Sequence, residues 1–243
     1  MCHSDDSRPP GPPDPGEVAE HGQLELTSAD GTAFAAYRSL PARPNGRNMV
    51  ILPDIRGLHP FYLALADRFA EAGFGTIAID YFGRTAGVGL RDDSFEWQQH
   101  IPQVRPEEVL ADVTVAAAAI NSEAAGPTFS VGFCFGGGQS WRLAATDAPL
   151  AGTIGFYGIA RMVTDVLADI HRPVLMLLAG ADEASKPEEF AAMDARLTEL
   201  GRDHRVQVYP GAPHSFFDRS YAQWQEACAD AWRQILDFTA AYA

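Results

Sequence analysis

The chain has 243 residues, 47% of them hydrophobic, and 18 Lys and Arg stand against 32 Asp and Glu for a net charge of −14. That length and apolar content suit one large domain able to bury a full sheet, while the acidic surplus repels nucleic acid and anionic membrane surfaces and argues against both as partners. Three cysteines, at 2, 134 and 228, imply no disulfide framework and fit a reducing, cytoplasmic setting.

Residues 1–22 carry five prolines between Arg8 and Gly16 and no apolar run, so they read as a disordered polar tail and not a signal peptide. Residues 23–243 then form the single domain. An antiparallel hairpin opens it, with Gln23 to Thr27 and Thr32 to Ser39 joined by the turn Ser28-Ala29-Asp30-Gly31. Beyond it, strand and helix patterns alternate. Strands are expected near 48–53, 75–80, 128–133, 151–156, 173–179 and 205–209, and helices near 61–72, 106–122, 135–146, 187–200 and 222–240. Such alternation predicts an α/β architecture: a mostly parallel central sheet with helices on both faces. No segment reaches the roughly 18 apolar residues of a membrane span.

The most informative segment is Gly132-Phe133-Cys134-Phe135-Gly136. A cysteine between two glycines, after an apolar strand and before a helical pattern, has the form of a nucleophile elbow with sulfur in place of oxygen. The helix that follows would point its positive end at Cys134 and favour the thiolate. In α/β-hydrolases the acid and then the histidine follow the nucleophile, each after a strand. Asp182 ends the strand-like run Pro173 to Ala179 by way of Gly180-Ala181, and His214 lies in the turn-rich Pro210-Gly211-Ala212-Pro213-His214-Ser215-Phe216. Taken singly, Cys134 could be a packed cysteine, Asp182 a helix cap and His214 a structural histidine. Their shared order and strand-end positions instead assign Cys134 as nucleophile, His214 as general base and Asp182 as the group that orients it.

With Gly-Phe-Cys-Phe-Gly-Gly at 132–137, Gly-x-Asp at 180–182 and Gly-x-x-His-Ser-Phe at 211–216, the chain resembles the dienelactone hydrolase family, the cysteine-nucleophile branch of the α/β-hydrolases. A fourth match is Pro53-Asp54-Ile55-Arg56-Gly57-Leu58. The resemblance implies an α/β-hydrolase fold, hydrolysis of an ester or enol lactone through a thioester, and a proton-relay acid at Asp54, where the family has the longer glutamate. It also implies two arginines holding a substrate carboxylate, for which Arg91, Arg84 and Arg219 are the candidates. Arg56 stands where an apolar residue is often found, and its charge suits an anion. The oxyanion would be received by the backbone N–H groups of Phe135, from the elbow geometry, and Ile55, from the early strand-to-helix loop.

The sequence contains no H-E-x-x-H, C-x-x-C, dinucleotide loop or P-loop, so no metal or cofactor is expected. The expected partner is a small ester or lactone, with or without a carboxylate, acted on by a monomer or small homo-oligomer. Two other readings stay open at this level: a catalytically slow hydrolase-fold protein with a binding or regulatory role, and a thiol redox sensor at Cys134.

Overall fold

A computed structural model describes residues 7–243. Eight strands form one sheet in the order β1-β2-β4-β3-β5-β6-β7-β8. The N-terminal hairpin, β1 (Val18–Thr27) and β2 (Ala33–Pro41), pairs antiparallel, and β2 joins β4 (Gly75–Ile79) antiparallel. From β4 onward, β3 (Asn48–Leu52), β5 (Thr128–Phe133), β6 (Gly152–Phe156), β7 (Val174–Ala181) and β8 (His204–Pro213) run parallel. The protein thus has the α/β-hydrolase architecture expected from the alternation of patterns.

Burial explains why the central strands read as unbroken apolar runs. Met49 and Ile51 of β3 face one cluster, with helices α1 (Pro60–Glu71) and α6 (Gln225–Ala241), while Val50 and Leu52 face the other, with α3 (Pro106–Glu123). Covering both faces removes any reason for polar alternation. Helices α4 (Phe135–Leu143) and α5 (Pro187–Glu199) complete the α3 side, burying Trp141, Phe190, Met193 and Leu197. Proline occupies the first helical position of α1, α3 and α5, where its missing N–H would have had no partner. At α5 the Glu189 side chain also reaches back to accept the Lys186 N–H at 2.7 Å.

Two boundaries differ from expectation. Strand β1 begins at Val18, inside the stretch read as a disordered tail, and Pro9, Pro10 and Pro12 are buried, with Trp232 Nε1 donating to the Pro10 carbonyl at 3.3 Å. Proline-rich composition lowers the entropy lost on docking an extended segment, an effect that a compositional reading of disorder leaves out. Residues 1–6, Cys2 among them, lie outside the described residues. At the other end of the sheet, β8 continues to Pro213 instead of stopping near 209, because an irregularity between Ala179 and Ala181 restores pairing as Ala181↔Pro213, with Gly211 at φ 74. A bulge of this kind re-aims the strand end. Between β4 and α3 lie the one-turn helix α2 (Gly83–Ala86) and two short 3-10 turns, none of which the sequence patterns marked.

The sheet and helix layers meet most closely at the elbow. A Cβ added to Gly132 would lie 1.9 Å from the Gly136 carbonyl oxygen, and one on Gly136 would lie 2.2 Å from the Leu52 and Pro53 oxygens. Backbone cannot yield as a flexible side chain does, so Gly132→Ala is expected to cost about 3 kcal/mol or more. Gly22→Ala, at a position open for 4 Å around, should stay within about 0.5 kcal/mol of the parent. Urea-unfolding midpoints of the two variants provide the comparison.

Candidate active site

Strand register places the candidate residues. Phe133 of β5 pairs with Phe156 of β6, so Cys134 and Tyr157 emerge together at the carboxyl ends of adjacent strands. Ala181 of β7 pairs with Pro213 of β8, which sets Asp182 and His214 side by side. Asp54 follows β3, next to β5 on its other side. All four sequence candidates therefore lie along one edge of the sheet, the edge at which parallel α/β proteins bind ligands.

Cys134 is the N-cap of α4 with φ 54 and ψ −113. For a residue with a Cβ this left-handed conformation costs on the order of 1–3 kcal/mol, and the flanking glycine contacts hold it. The Cys134 N–H donates to the Phe156 carbonyl at 3.1 Å, leaving the side chain at the helix N-terminus, 7% exposed. His214 Nδ1 lies 2.9 and 3.0 Å from the two Asp182 carboxylate oxygens. Asp182 Oδ1 also accepts the Ala184 N–H at 2.7 Å, which fixes the carboxylate. The ring nitrogen facing Asp182 carries the proton when the imidazole is neutral, leaving Nε2 as the basic atom. Cys134 shares one apolar cluster with Tyr157, Phe216 and Phe217, and the Tyr157 ring lies against the imidazole with centroids 4.9 Å apart.

Asp54 is 1% exposed. Its Oδ1 accepts the Arg56 N–H at 2.9 Å, its own N–H donates to Tyr62 Oη at 2.9 Å, and its carbonyl accepts from Tyr81 Oη at 2.8 Å. This turn leaves the Ile55 N–H with no hydrogen-bond acceptor among the described residues, and the same holds for the Phe135 N–H at the start of α4. Helix geometry supplies the second of these donors.

The arginines divide sharply. Arg84 makes paired bonds of 2.8 and 2.9 Å to Asp112 and a third, of 2.8 Å, to Asp30, contacts that raise its guanidinium pKa above the ordinary value. Arg91 is buried against Asp80 at 2.7 Å and donates to the Gly87 carbonyl at 2.5 Å. Burial pushes the Asp80 carboxyl up, and Arg91 opposes that shift. Both arginines, expected as substrate ligands, are thus committed to carboxylates of the fold. Their acidic partners, Asp30, Asp80 and Asp112, are distant in sequence and gave no signal. Arg219 is exposed. Arg56 is 2% exposed, with Nη1 on Asp93 and with Nε and Nη2 buried without a hydrogen-bond partner. His59 caps α1, its Nδ1 accepting the Phe61 N–H at 3.2 Å, with Nε2 3.4 Å from Asp93.

One residue of the site escaped the sequence reading altogether. Asp218, four positions beyond His214, is 1% exposed and accepts from Tyr157 Oη at 3.0 Å. Burial holds its carboxyl well above the usual range, and the nearby Asp54 charge adds to the effect. The adjacent exposed arginine made this stretch look like surface. Among the described residues, no group of three or more His, Cys, Asp or Glu side chains is arranged to hold a metal, and no helix is long and apolar enough to cross a membrane.

Comparison with known proteins agrees with this fold. The sequence model of the Dienelactone hydrolase family matches residues 34–243. A protein of Saccharolobus solfataricus named "Putative carboxymethylenebutenolidase" is 27% identical, the match covering 86% of this chain and 95% of that one. Carboxymethylenebutenolidase 1 of Cupriavidus pinatubonensis is 26% identical over 84% of this chain and 89% of its own length. Among solved structures, the dienelactone hydrolase-like promiscuous phosphotriesterase P91 from metagenomic libraries superposes with a TM-score of 0.74 at 21% identity, covering 91% of this chain and 98% of that chain. At that identity the likeness speaks for the fold alone.

Three outcomes follow. Arg91→Met strands a buried carboxylate and should cost about 3–5 kcal/mol in thermal or urea unfolding, a larger effect than any on KM. The Asp218 pKa is raised on folding, so the native state holds that proton more tightly than the unfolded chain, and stability falls as pH climbs through the window between the two values. The charged and titratable groups around it are Asp54, Tyr157, His214 and Cys228, and Asp218→Asn should flatten the slope of melting temperature against pH. Burial also pushes the Cys228 thiol up to about 12, so iodoacetamide at pH 8 should leave Cys228 unmodified in the native protein, as peptide mapping would show.

Proposed function

The chain belongs to the dienelactone hydrolase family, and from that premise we propose that it cleaves a carboxylic ester or enol lactone through Cys134, His214 and Asp182 by way of a thioester. The observation that carries this reading is the two-oxygen contact of Asp182 with His214 Nδ1, on the strand edge where a cysteine sits at φ 54 on a helix N-terminus.

In this mechanism the Cys134 thiolate adds to the substrate carbonyl carbon, and the carbonyl electron pair moves to oxygen. The N–H groups of Ile55 and Phe135 receive that oxyanion, and donors held in place before the charge develops need no reorganisation. Collapse re-forms the carbonyl and breaks the single bond from its carbon to the leaving-group oxygen, which takes a proton from the His214 imidazolium. Water then attacks the thioester carbon while His214 Nε2 removes its proton, and the carbon–sulfur bond breaks to release the acid and restore the thiolate. Asp182 holds the tautomer and offsets the imidazolium charge without becoming protonated. Asp54 stands where the family has its proton-accepting glutamate. Esters and lactones are favoured over amides because a thiolate leaves more readily than an unprotonated amine.

Family substrates are enol lactones bearing a carboxylate. Here the support for an anion contact rests on Arg56, whose Nε and Nη2, buried without a hydrogen-bond partner, lie on one edge of the guanidinium and match two carboxylate oxygens. Arg219 is exposed. Arg84 and Arg91 are taken up by their aspartates.

Cys134→Ala should lose hydrolysis of p-nitrophenyl acetate and of an enol lactone by at least about 10³-fold in kcat, and retention of activity in purified variant would overturn the assignment. Asp54→Glu and Asp54→Asn separate the relay from the scaffold. With Asp54 in the relay, the acylation rate and its pH profile change in opposite senses in the two variants, and no change in either removes Asp54 from the mechanism.

A further inference from the structure

Beside the triad, two buried polar side chains tie the end of β6, whose last carbonyl accepts the nucleophile's N–H, to the loop that carries the base. The Phe156 carbonyl accepts the Cys134 N–H, and the next residue, Tyr157, turns its ring against His214, with centroids 4.9 Å apart. The Tyr157 hydroxyl then crosses to Asp218 Oδ2 at 3.0 Å. Asp218 closes the histidine loop, its N–H donating to the Ser215 carbonyl at 3.2 Å and its Oδ1 accepting the Arg219 N–H. Tyr157 at φ 35 and Ser215 at φ 67, like Cys134, lie in the left-handed region without being glycine, a conformation that persists only where the surroundings enforce it.

The surroundings of this bond are otherwise aromatic. Phe156, Phe216 and Phe217 pack about the Tyr157 ring or its neighbours, and a phenylalanine paired with a leucine would fill the same space without burying a hydroxyl and a carboxyl. Each such group costs about 1–3 kcal/mol if left without a partner, and polar pairs of this kind are often no more stable than apolar replacements. Stability alone therefore gives no reason for the pair, whereas its placement does, since it spans the two elements whose separation sets the sulfur-to-imidazole distance.

We propose that Tyr157 and Asp218 are positioning residues for His214: their hydrogen bond locks the histidine loop to the strand end that anchors Cys134. The proposal rests on the reading of Cys134 and His214 as nucleophile and base. It assigns work to a carboxyl that the triad does not use, and it accounts for a buried acid so close to Asp54 and His214. Burial keeps this carboxyl in its protonated form to higher pH than an exposed aspartate, so the loop need not carry a third negative charge beside Asp54 and Asp182.

The test uses the full chain, with kcat and KM for p-nitrophenyl acetate measured from acid to alkaline pH, and with the His214 imidazole titration followed by NMR and assigned with His214→Asn. Tyr157→Phe keeps the ring and removes only the bond; it and Asp218→Ala should each lower kcat about 10–100-fold, the scale of a small misplacement of reacting groups, with KM within about three-fold. Asp218→Asn, whose oxygen can keep the Arg219 N–H while its NH2 donates to the Tyr157 hydroxyl, should regain most of that loss. The His214 titration midpoint should move in Tyr157→Phe and stay near the wild-type value in Asp218→Asn. Wild-type kcat in Tyr157→Phe, a loss confined to KM, or Asp218→Asn as slow as Asp218→Ala would each overturn the proposal. If the wild-type protein hydrolyses no ester, the hydrolase reading fails by itself, and an unmoved imidazole titration in Tyr157→Phe would then overturn the positioning pair independently.

Discussion

The approach of backbone to backbone at Gly132 and Gly136 is the constraint from which the rest of the site follows. With the Gly136 carbonyl 1.9 Å from where a Gly132 Cβ would lie, strand β5 can turn directly into α4, and Cys134 has no choice but the left-handed conformation. That turn raises the thiol out of the sheet, aligns it with the helix axis and leaves the Phe135 N–H without an intrahelical partner. Sulfur, helix dipole and one free backbone donor are thus fixed by a single steric condition. The parallel register does the remainder, since each neighbouring strand ends at nearly the same height and delivers Tyr157, Asp182 and His214 without long loops.

Charge is arranged with the same economy. A chain carrying 14 excess negative charges buries several of them near its active edge, and each has a defined answer. Asp80 and Asp112 are met by Arg91 and Arg84, Asp182 by His214, and Asp218 by the Tyr157 hydroxyl and a raised pKa. Arg56, held by Asp93 through Nη1, keeps Nε and Nη2 buried without a hydrogen-bond partner.

Much of this was legible in the sequence, and what was missed has a physical cause. The apolar runs located the inner parallel strands β3 to β7 to within a few residues, because strands buried on both faces leave unbroken hydrophobic signatures. The triad candidates were legible because an elbow needs glycines at 132 and 136, and because Asp182 and His214 each follow a strand. Ion pairs were not: nothing local in Arg84 or Arg91 discloses that Asp112 and Asp80 will fold against them. Asp218 was hidden for a related reason, lying between Phe217 and Arg219 in a stretch whose burial depends on Tyr157, 61 residues away in the chain. Strand β8 ran past its expected end because Gly211 and the irregularity in β7 restore a pairing that local propensity does not encode.

The central claim is that Cys134 carries the acyl group and His214 releases it. Intact-mass spectrometry with peptide mapping, after a brief pulse of p-nitrophenyl acetate, tests it most directly. The account predicts an acetyl group on Cys134 that decays within the pulse-chase in the wild-type protein and, after a longer pulse, persists in His214→Ala. Hydrolysis that proceeds with the acetyl group on another residue, or an adduct on Cys134 that decays equally fast without the imidazole, would contradict it.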